Sequence, residues 1–334
     1  MSRKNTKPAL VREDQGTYAD LLYMCLPLAA MAICFYGLRV AVLCGVAVLT
    51  ANLCDRMVAL MRRTKYEKQE WSSEAFALML ALLMPATISY YVLIVAVLSA
   101  VLLGKEAFGG YGAYPFHPVA VGYAVAAVSW PQQMFAYPRP DLFKSLPLGS
   151  TEGVTMVESS SHILKSGGLP NIGNMDLLLG NYAGPMGATM LLVILACALF
   201  LLHRKRMDLI TPLSFLAACF LVAFCFPRLA ELAFTAPWKN VAMRLTAAKY
   251  EMCSGVALYA AVFLINDPVT LPKNKISRVL YAAGLGVMAM MFRYFGAFDA
   301  GICFALLIMN SLSGWLDRAV QSAIYRKGGV RREA

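Results

Sequence analysis

The chain has 334 residues, 59% hydrophobic and only 15% charged, with a formal net charge of +11. Soluble domains carry about a quarter charged residues, so this is the composition of a multi-pass membrane protein, and on such a protein a basic excess sets orientation in the bilayer rather than binding nucleic acid. Nine cysteines stand singly in or beside apolar runs without CxxC spacing, which excludes a zinc or iron–sulfur site made by this chain alone and a disulfide framework; the absence of a Walker loop, HExxH or nucleophile–His–acid spacing leaves a self-sufficient hydrolase or ATP-driven pump without support.

The polar start, residues 1–18, is too long before the first apolar run for a cleavable signal, so the first helix is expected to stay as an anchor. A bilayer core of about 30 Å takes roughly 20 apolar residues per helix, and fewer where a helix is broken and covered by its neighbours. On that scale the chain predicts ten segments: 19–35, 37–55, 74–87, 88–104, 117–131, 184–202, 209–226, 248–265, 277–295 and 299–316. The expected organisation is a cytoplasmic tail (1–18), a first membrane repeat (19–131), an extracytoplasmic loop (132–183), a second membrane repeat (184–316) and a basic cytoplasmic tail (317–334).

With the N-terminus in the cytoplasm, ten crossings place the basic residues within 3–12, 56–68, 204–206, 273–278 and 318–332, together with Lys105, on the inside, 21 of the 30 Lys and Arg. That is the bias expected of short cytoplasmic connections, and it puts both termini inside. Two helices fewer between 110 and 270 would put the His203-Arg204-Lys205-Arg206 turn on the wrong side.

An internal echo accompanies this count. The run at 74–87 ends on Pro85-Ala86-Thr87 and the run at 255–270 on Pro268-Val269-Thr270, five crossings apart. An odd offset places the two in opposite orientations, as in the inverted repeats of many transport folds, whose broken helices meet near the symmetry axis. The expected fold is therefore an all-α polytopic membrane protein of about ten transmembrane helices, built as a 5+5 inverted repeat with broken helices.

The stretch 109–134, GGYGAYPFHPVAVGYAVAAVSWPQQM, crowds glycines and prolines ahead of an apolar run. Glycines let backbone approach closely, and Pro115 and Pro118 stop the preceding turn and seed the next helix at its first positions. The free N–H groups of such a start suit an anion or a polar ring edge; a tight turn that only permits packing is the alternative.

These stretches resemble a known family. KEAFGGYGAYPFHPVAVGYAVAAVSWPQQM is similar to a GGxGxNPFNPAxxGYxxxxxSFPxQM region of the RnfD/NqrB family. INDPVT and the following RVLYAAGLGVMAMMFRYFGAFDAGICFALLIMNSL resemble its TDPVT and RxFGGYPDGxxFAxLLxN segments. The likeness runs in order from about residue 20 to 318 and is nearer to the RnfD branch. It implies a membrane subunit of an ion-translocating ferredoxin:NAD oxidoreductase that couples electron transfer to Na⁺ or H⁺ movement in a prokaryotic cell (inner) membrane. Implied partners are other membrane subunits of the same complex, an FMN-carrying subunit, iron–sulfur subunits and the lipid bilayer.

The resemblance also implies two flavins, an FMN joined by a phosphoester to a threonine in an extracytoplasmic loop and a non-covalent flavin among the helices; this sequence departs at both. At 152–168, EGVTMVESSSHILKSGG, a gap-free alignment puts Glu158 at the acceptor position and one inserted residue puts Ser159 there. Only Ser159 offers a hydroxyl, and the degraded motif argues against covalent FMN. At the non-covalent site, riboflavin or FMN, the implied residues are Gly109, Gly110, Gly112, Tyr114, His117, Asp267 and Thr270, with Tyr114 and His117 standing where the family has asparagines. An amide donates and accepts at once, matching a flavin's pyrimidine edge; Asp267 reads equally as a helix cap. Glu74 and Asp299, at helix starts, are dipole-stabilising residues or ion-path candidates, and Arg293 reads as an interface residue reaching for headgroups. Two classes compete: a flavin-carrying redox subunit, and a flavin-poor structural or ion-conducting subunit or a transporter on the same scaffold.

Overall fold

The computed structural model describes residues 9–63, 71–141, 145–151, 153–229, 238–296 and 301–330. In chain order the first half forms α1 (Ala9–Tyr36), α2 (Leu38–Met61), α3 (Ser72–Leu82), α4 (Tyr90–Leu98), which runs on through a π-helical turn at Ser99–Lys105, and α5 (Pro118–Ser129). A connection follows with α6 (Pro131–Met134), a two-residue antiparallel pair of β1 (Tyr137–Pro138) and β2 (Met156–Val157), α7 (Ser160–Lys165) and α8 (Asn174–Leu179). The second half is α9 (Leu191–His203), α10 (Ile210–Cys225), α11 (Val241–Cys253), α12 (Ala257–Phe263), α13 (Lys275–Phe295) and α14 (Ile302–Val330). Among the described residues each of the ten apolar segments contains helix, the third ending at Leu82, the sixth starting at Leu191 and the eighth split between α11 and α12. The class is that expected from composition, an all-α polytopic membrane protein.

Gly16–Tyr36, Leu38–Met61, Tyr90–Phe108 and Lys275–Phe295 are long and apolar enough to cross a bilayer by themselves. Leu49, Leu53, Leu199 and Leu221 stay largely exposed along their helices, the wall a lipid environment requires. By contrast α3 has 11 residues and α12 has 7, so at 1.5 Å per residue they reach only about 17 and 10 Å into a core of roughly 30 Å. Both are half-helices enclosed by the others: every residue of α3 is buried, as are Tyr259–Phe263 of α12.

α3 ends earlier than its hydropathy suggests because Pro85 cannot continue the ladder. The carbonyls this opens need partners. Gly187 N–H bonds Leu82 O at 2.8 Å and Met186 N–H bonds Met84 O at 3.1 Å. Gly187 is required for that approach, since a Cβ there would lie 2.6 Å from Leu82 Cβ. Tyr259 of α12 donates its hydroxyl to Met79 O at 3.0 Å, so the two half-helices, one from each half of the chain, touch at the break.

The ends of the bundle sort by charge. Arg204 and Arg206 pair with Asp20 in the first half of α1, Arg278 with Asp208, and Asp317 accepts from the Lys273 and Asn274 amides. These contacts gather three of the basic connections and the start of α1 at one end, as an even number of crossings between them requires. At the other end the 145–149 segment lies against α1 and α4, with Leu146 N–H on Tyr36 O and Tyr90 Oη on Leu148 O. The first helix departs from expectation at its start. It extends back through residues assigned to the polar tail, so that Tyr18 is 1% exposed and belongs to the core.

Candidate functional site

Asp267 follows α12, where Pro268 forbids further helix and the chain turns. Its Oδ2 accepts from the Thr270 amide at 3.2 Å and the Thr270 hydroxyl at 2.9 Å, closing the Asp-Pro-Val-Thr turn on itself. Its Oδ1 accepts from Tyr18 of α1 in a short hydrogen bond and from Tyr114 at 3.1 Å, while the two phenol oxygens lie 2.6 Å apart. Two phenolic protons thus serve three close oxygen contacts, and either phenol can donate to the other. Tyr18, Tyr114, His117 and Asp267 are each at most 2% exposed.

Phe76 of α3 is the hub around which these side chains pack. Its ring meets Tyr18 at 5.3 Å, His117 at 5.5 Å and Tyr114 at 5.9 Å, all edge to face, and Tyr111 meets Tyr18 at 5.7 Å in the same manner, the geometry aromatic pairs favour. His117 is the N-cap residue of α5 and Pro118 its first residue, as the sequence indicated. His117 caps without a side-chain hydrogen bond, and its Nδ1 has no partner among the described residues.

Thus Tyr114, His117, Asp267 and Thr270 come together. The three glycines do another job. Gly109, Gly110 and Gly112 have φ of 112°, 90° and 80°, a left-handed region that favours glycine, and they shape the exit from the π-helical turn. Around Gly112 there is open space, and Gly110 faces the Glu106 carboxylate, not Asp267. Glu106 is tied to Arg62 at 3.1 Å.

Glu74 lies in the first turn of α3 and is 2% exposed, deeper than a surface dipole residue. Beside it Ser73 donates to Asp55 at 2.9 Å and accepts from the buried Lys105 at 2.8 Å. Asp299 falls outside the described residues. Ser159 is the N-cap of α7; its Oγ accepts from the His162 amide at 3.2 Å and the residue is 7% exposed. The neighbouring Glu158 is exposed and pairs with His162 at 3.4 Å.

Sequence reading missed two groups. Tyr18 carried no signal beyond a position at the edge of an apolar run. Arg293, expected at the headgroup level, is 6% exposed and pairs with Glu251 at 2.9 Å, while Arg228 pairs with the same carboxylate at 2.6 Å.

Paired half-helices enclosed by longer apolar helices, with buried carboxylates Glu74 and Asp267 at their ends, make this an all-α multi-pass membrane protein. The family model described as NQR2, RnfD, RnfE family matches residues 11–326, and the chain belongs to that family. It is 26% identical to the D subunit of the ion-translocating oxidoreductase complex of Alcanivorax borkumensis, with 96% of each chain covered. It is 28% identical to the protein of that name in Pseudomonas aeruginosa, covering 96% of this chain and 92% of the relative. With the D subunit of the proton-translocating ferredoxin:NAD(+) oxidoreductase complex of Clostridium ljungdahlii the identity is 21%, covering 96% and 95%.

Proposed function

We propose that this chain is the RnfD-type membrane component of an Rnf-type ion-translocating oxidoreductase complex, which passes electrons between ferredoxin and NAD and drives Na⁺ or H⁺ across a prokaryotic cell membrane. The observation that carries the reading is end-to-end likeness: relatives of that kind align over nearly their whole length and this chain's. It is one component of a translocase, not an enzyme alone. Its partners are the other membrane subunits, an FMN-carrying subunit and iron–sulfur subunits, and both termini face the cytoplasm, supported by the basic connections gathered around Asp20 and Asp208.

Within such a complex the chain's own contribution is the covered path between half-helices. Irregular backbone at membrane depth is tolerated only where protein or a cavity covers it, and ions are handled at such breaks. Glu74, buried in the first turn of the half-helix α3, is the ion-path candidate among the described carboxylates, since a buried charge in a membrane helix is expensive without a role.

A tagged chain, solubilised mildly, should co-purify with the other subunits. Deleting its gene should abolish ferredoxin:NAD oxidoreduction in membrane vesicles, and re-expression should restore it. A chain that purifies alone, or vesicles that keep full activity without it, would overturn the assignment. Cysteines introduced at 145–151 should react with an impermeant reagent on intact cells, and cysteines at 320–324 only after permeabilisation.

A further inference from the structure

We infer that the position between α1, the 109–117 turn and the end of α12, which the resemblance assigns to a non-covalent flavin, is filled by the chain's own Tyr18 and Tyr114, and that this protein holds no flavin there. The inference rests on the family reading for where the ring would sit, and on this chain's side chains for everything else.

A flavin ring is held at its pyrimidine edge, where carbonyl acceptors alternate with an N–H donor, so a binding site must present unused donors and acceptors. A carboxylate has about four lone-pair sites. At Asp267 they are taken by Tyr18, Tyr114, the Thr270 amide and the Thr270 hydroxyl. To accept from a ring N–H, Asp267 would have to shed a phenol. That phenol, buried against Phe76 and Tyr111, would lose its partner in an apolar surround, where an unpaired polar group is costly. The glycines do not open a slot toward Asp267; the space they leave adjoins Glu106 and the surface. Among the described residues His117 Nδ1 has no hydrogen-bond partner, and neither has Asn266 Oδ1 beside Asp267. Isolated groups of this kind are what buried water satisfies, whereas a ring edge would leave its remaining carbonyls without donors. The loop acceptor points the same way, since Ser159 Oγ is engaged as a helix cap and buried.

The test uses the purified complex. In a denaturing gel the band of this chain should show no flavin fluorescence, and acid-released flavin per complex should be the same for wild type, His117→Ala and Asp267→Ala. Tyr18→Phe, which keeps the ring and removes the hydroxyl, should lower the thermal midpoint and leave flavin content unchanged. Loss of one flavin equivalent in Asp267→Ala or His117→Ala, or a fluorescent band abolished by Ser159→Ala, would overturn the inference. Should the chain fail to co-purify with partners, the proposed function falls. Riboflavin titrated into the detergent-solubilised full chain then still decides the point: saturable binding lost in Asp267→Ala refutes the inference, and no saturable binding upholds it.

Discussion

At the break after α3, exposed carbonyls are met by neutral groups and one cation. The amides of Met186 and Gly187 and the hydroxyl of Tyr259 take Met84, Leu82 and Met79. Arg39 takes Ala86 O at 2.9 Å and Ile88 O at 3.1 Å, and also reaches Pro147 O and Gly149 O at 2.8 Å. At the break between α11 and α12 the solution is ionic. Arg293 Nη1 donates to Glu251 O at 2.8 Å while its Nε pairs with the Glu251 carboxylate, which Arg228 also grips. Arg293 lies so close to Gly255 that a Cβ there would collide with Nη1, and Tyr182 adds a hydroxyl to Cys253 O at 3.0 Å. Both devices place a guanidinium where a helix dipole ends negative. They differ in how the charge is balanced: Arg39 spreads it over carbonyl dipoles of two segments, whereas Arg293 and Arg228 share one carboxylate.

The difference predicts unequal responses to substitution. Glu251→Leu strands two buried guanidiniums, and removing one partner of a buried ion pair costs about 3–5 kcal/mol. The variant should give the largest loss of thermal midpoint in detergent. Converting Arg228, Glu251 and Arg293 together to Met, Leu and Met should recover most of it, because a buried ion cluster replaced whole by apolar groups is often neutral. A triple variant no more stable than Glu251→Leu would mean that the carbonyl cap, not the charge balance, holds this break.

Arg39→Met should come next. Hydrogen bonds from a charged donor contribute about 1.5–3 kcal/mol net, and water can reach the 147–149 carbonyls more easily than those of Ala86 and Ile88. The loss should appear as faster proteolysis within 145–151 together with a lower midpoint. Unchanged proteolysis would show that the segment is held by Tyr90 and Leu146 instead.

Much of this architecture was written in the chain's punctuation. Pro85 and Pro268 mark both ends of half-helices because proline acts locally, and Pro118 marks the start of α5 for the same reason. Tyr114, His117 and Asp267, grouped by the resemblance, lie close together, Tyr114 bonded to Asp267 and both Tyr114 and His117 packed on Phe76. Tyr18 was not legible, because its partner is set by how α1 packs on α3, far along the chain. Arg293 was misleading for a similar reason, and the inward role of Arg39 carried no signal in the sequence. An arginine near the edge of an apolar run reads as reaching for headgroups. Only the loop that folds over Arg39, and the carboxylate that α11 brings to Arg293, make them internal.

Tyr259→Phe tests the joint between the half-helices with a smaller effect. It removes one neutral hydrogen bond, to Met79 O, while keeping the ring stacked on Phe263 at 4.9 Å, for an expected loss of about 0.5–1.5 kcal/mol. Combined with Arg39→Met the loss should exceed the sum, because both leave carbonyls of one broken end uncovered. Combined with Glu251→Leu, at the other break, the losses should simply add.

The smallest effect expected is at a helix start outside both breaks. Asp317 lies just past the apolar segment and accepts the Lys273 and Asn274 amides ahead of α13. Partial burial pushes its carboxyl upward, but these amides and the nearby Lys273 charge outweigh that and hold it below the usual carboxylate value. A carboxyl depressed in the folded state contributes stability that is present above its unfolded value, near 4, and is lost as pH falls through the folded value. At this partly exposed position the contribution is about 0.3–1 kcal/mol and screened by salt. Between pH 5 and 3, Asp317→Asn should flatten the fall in thermal midpoint slightly and leave the midpoint at pH 7 a little lower. If the slope is unchanged, the acid response comes from other carboxylates.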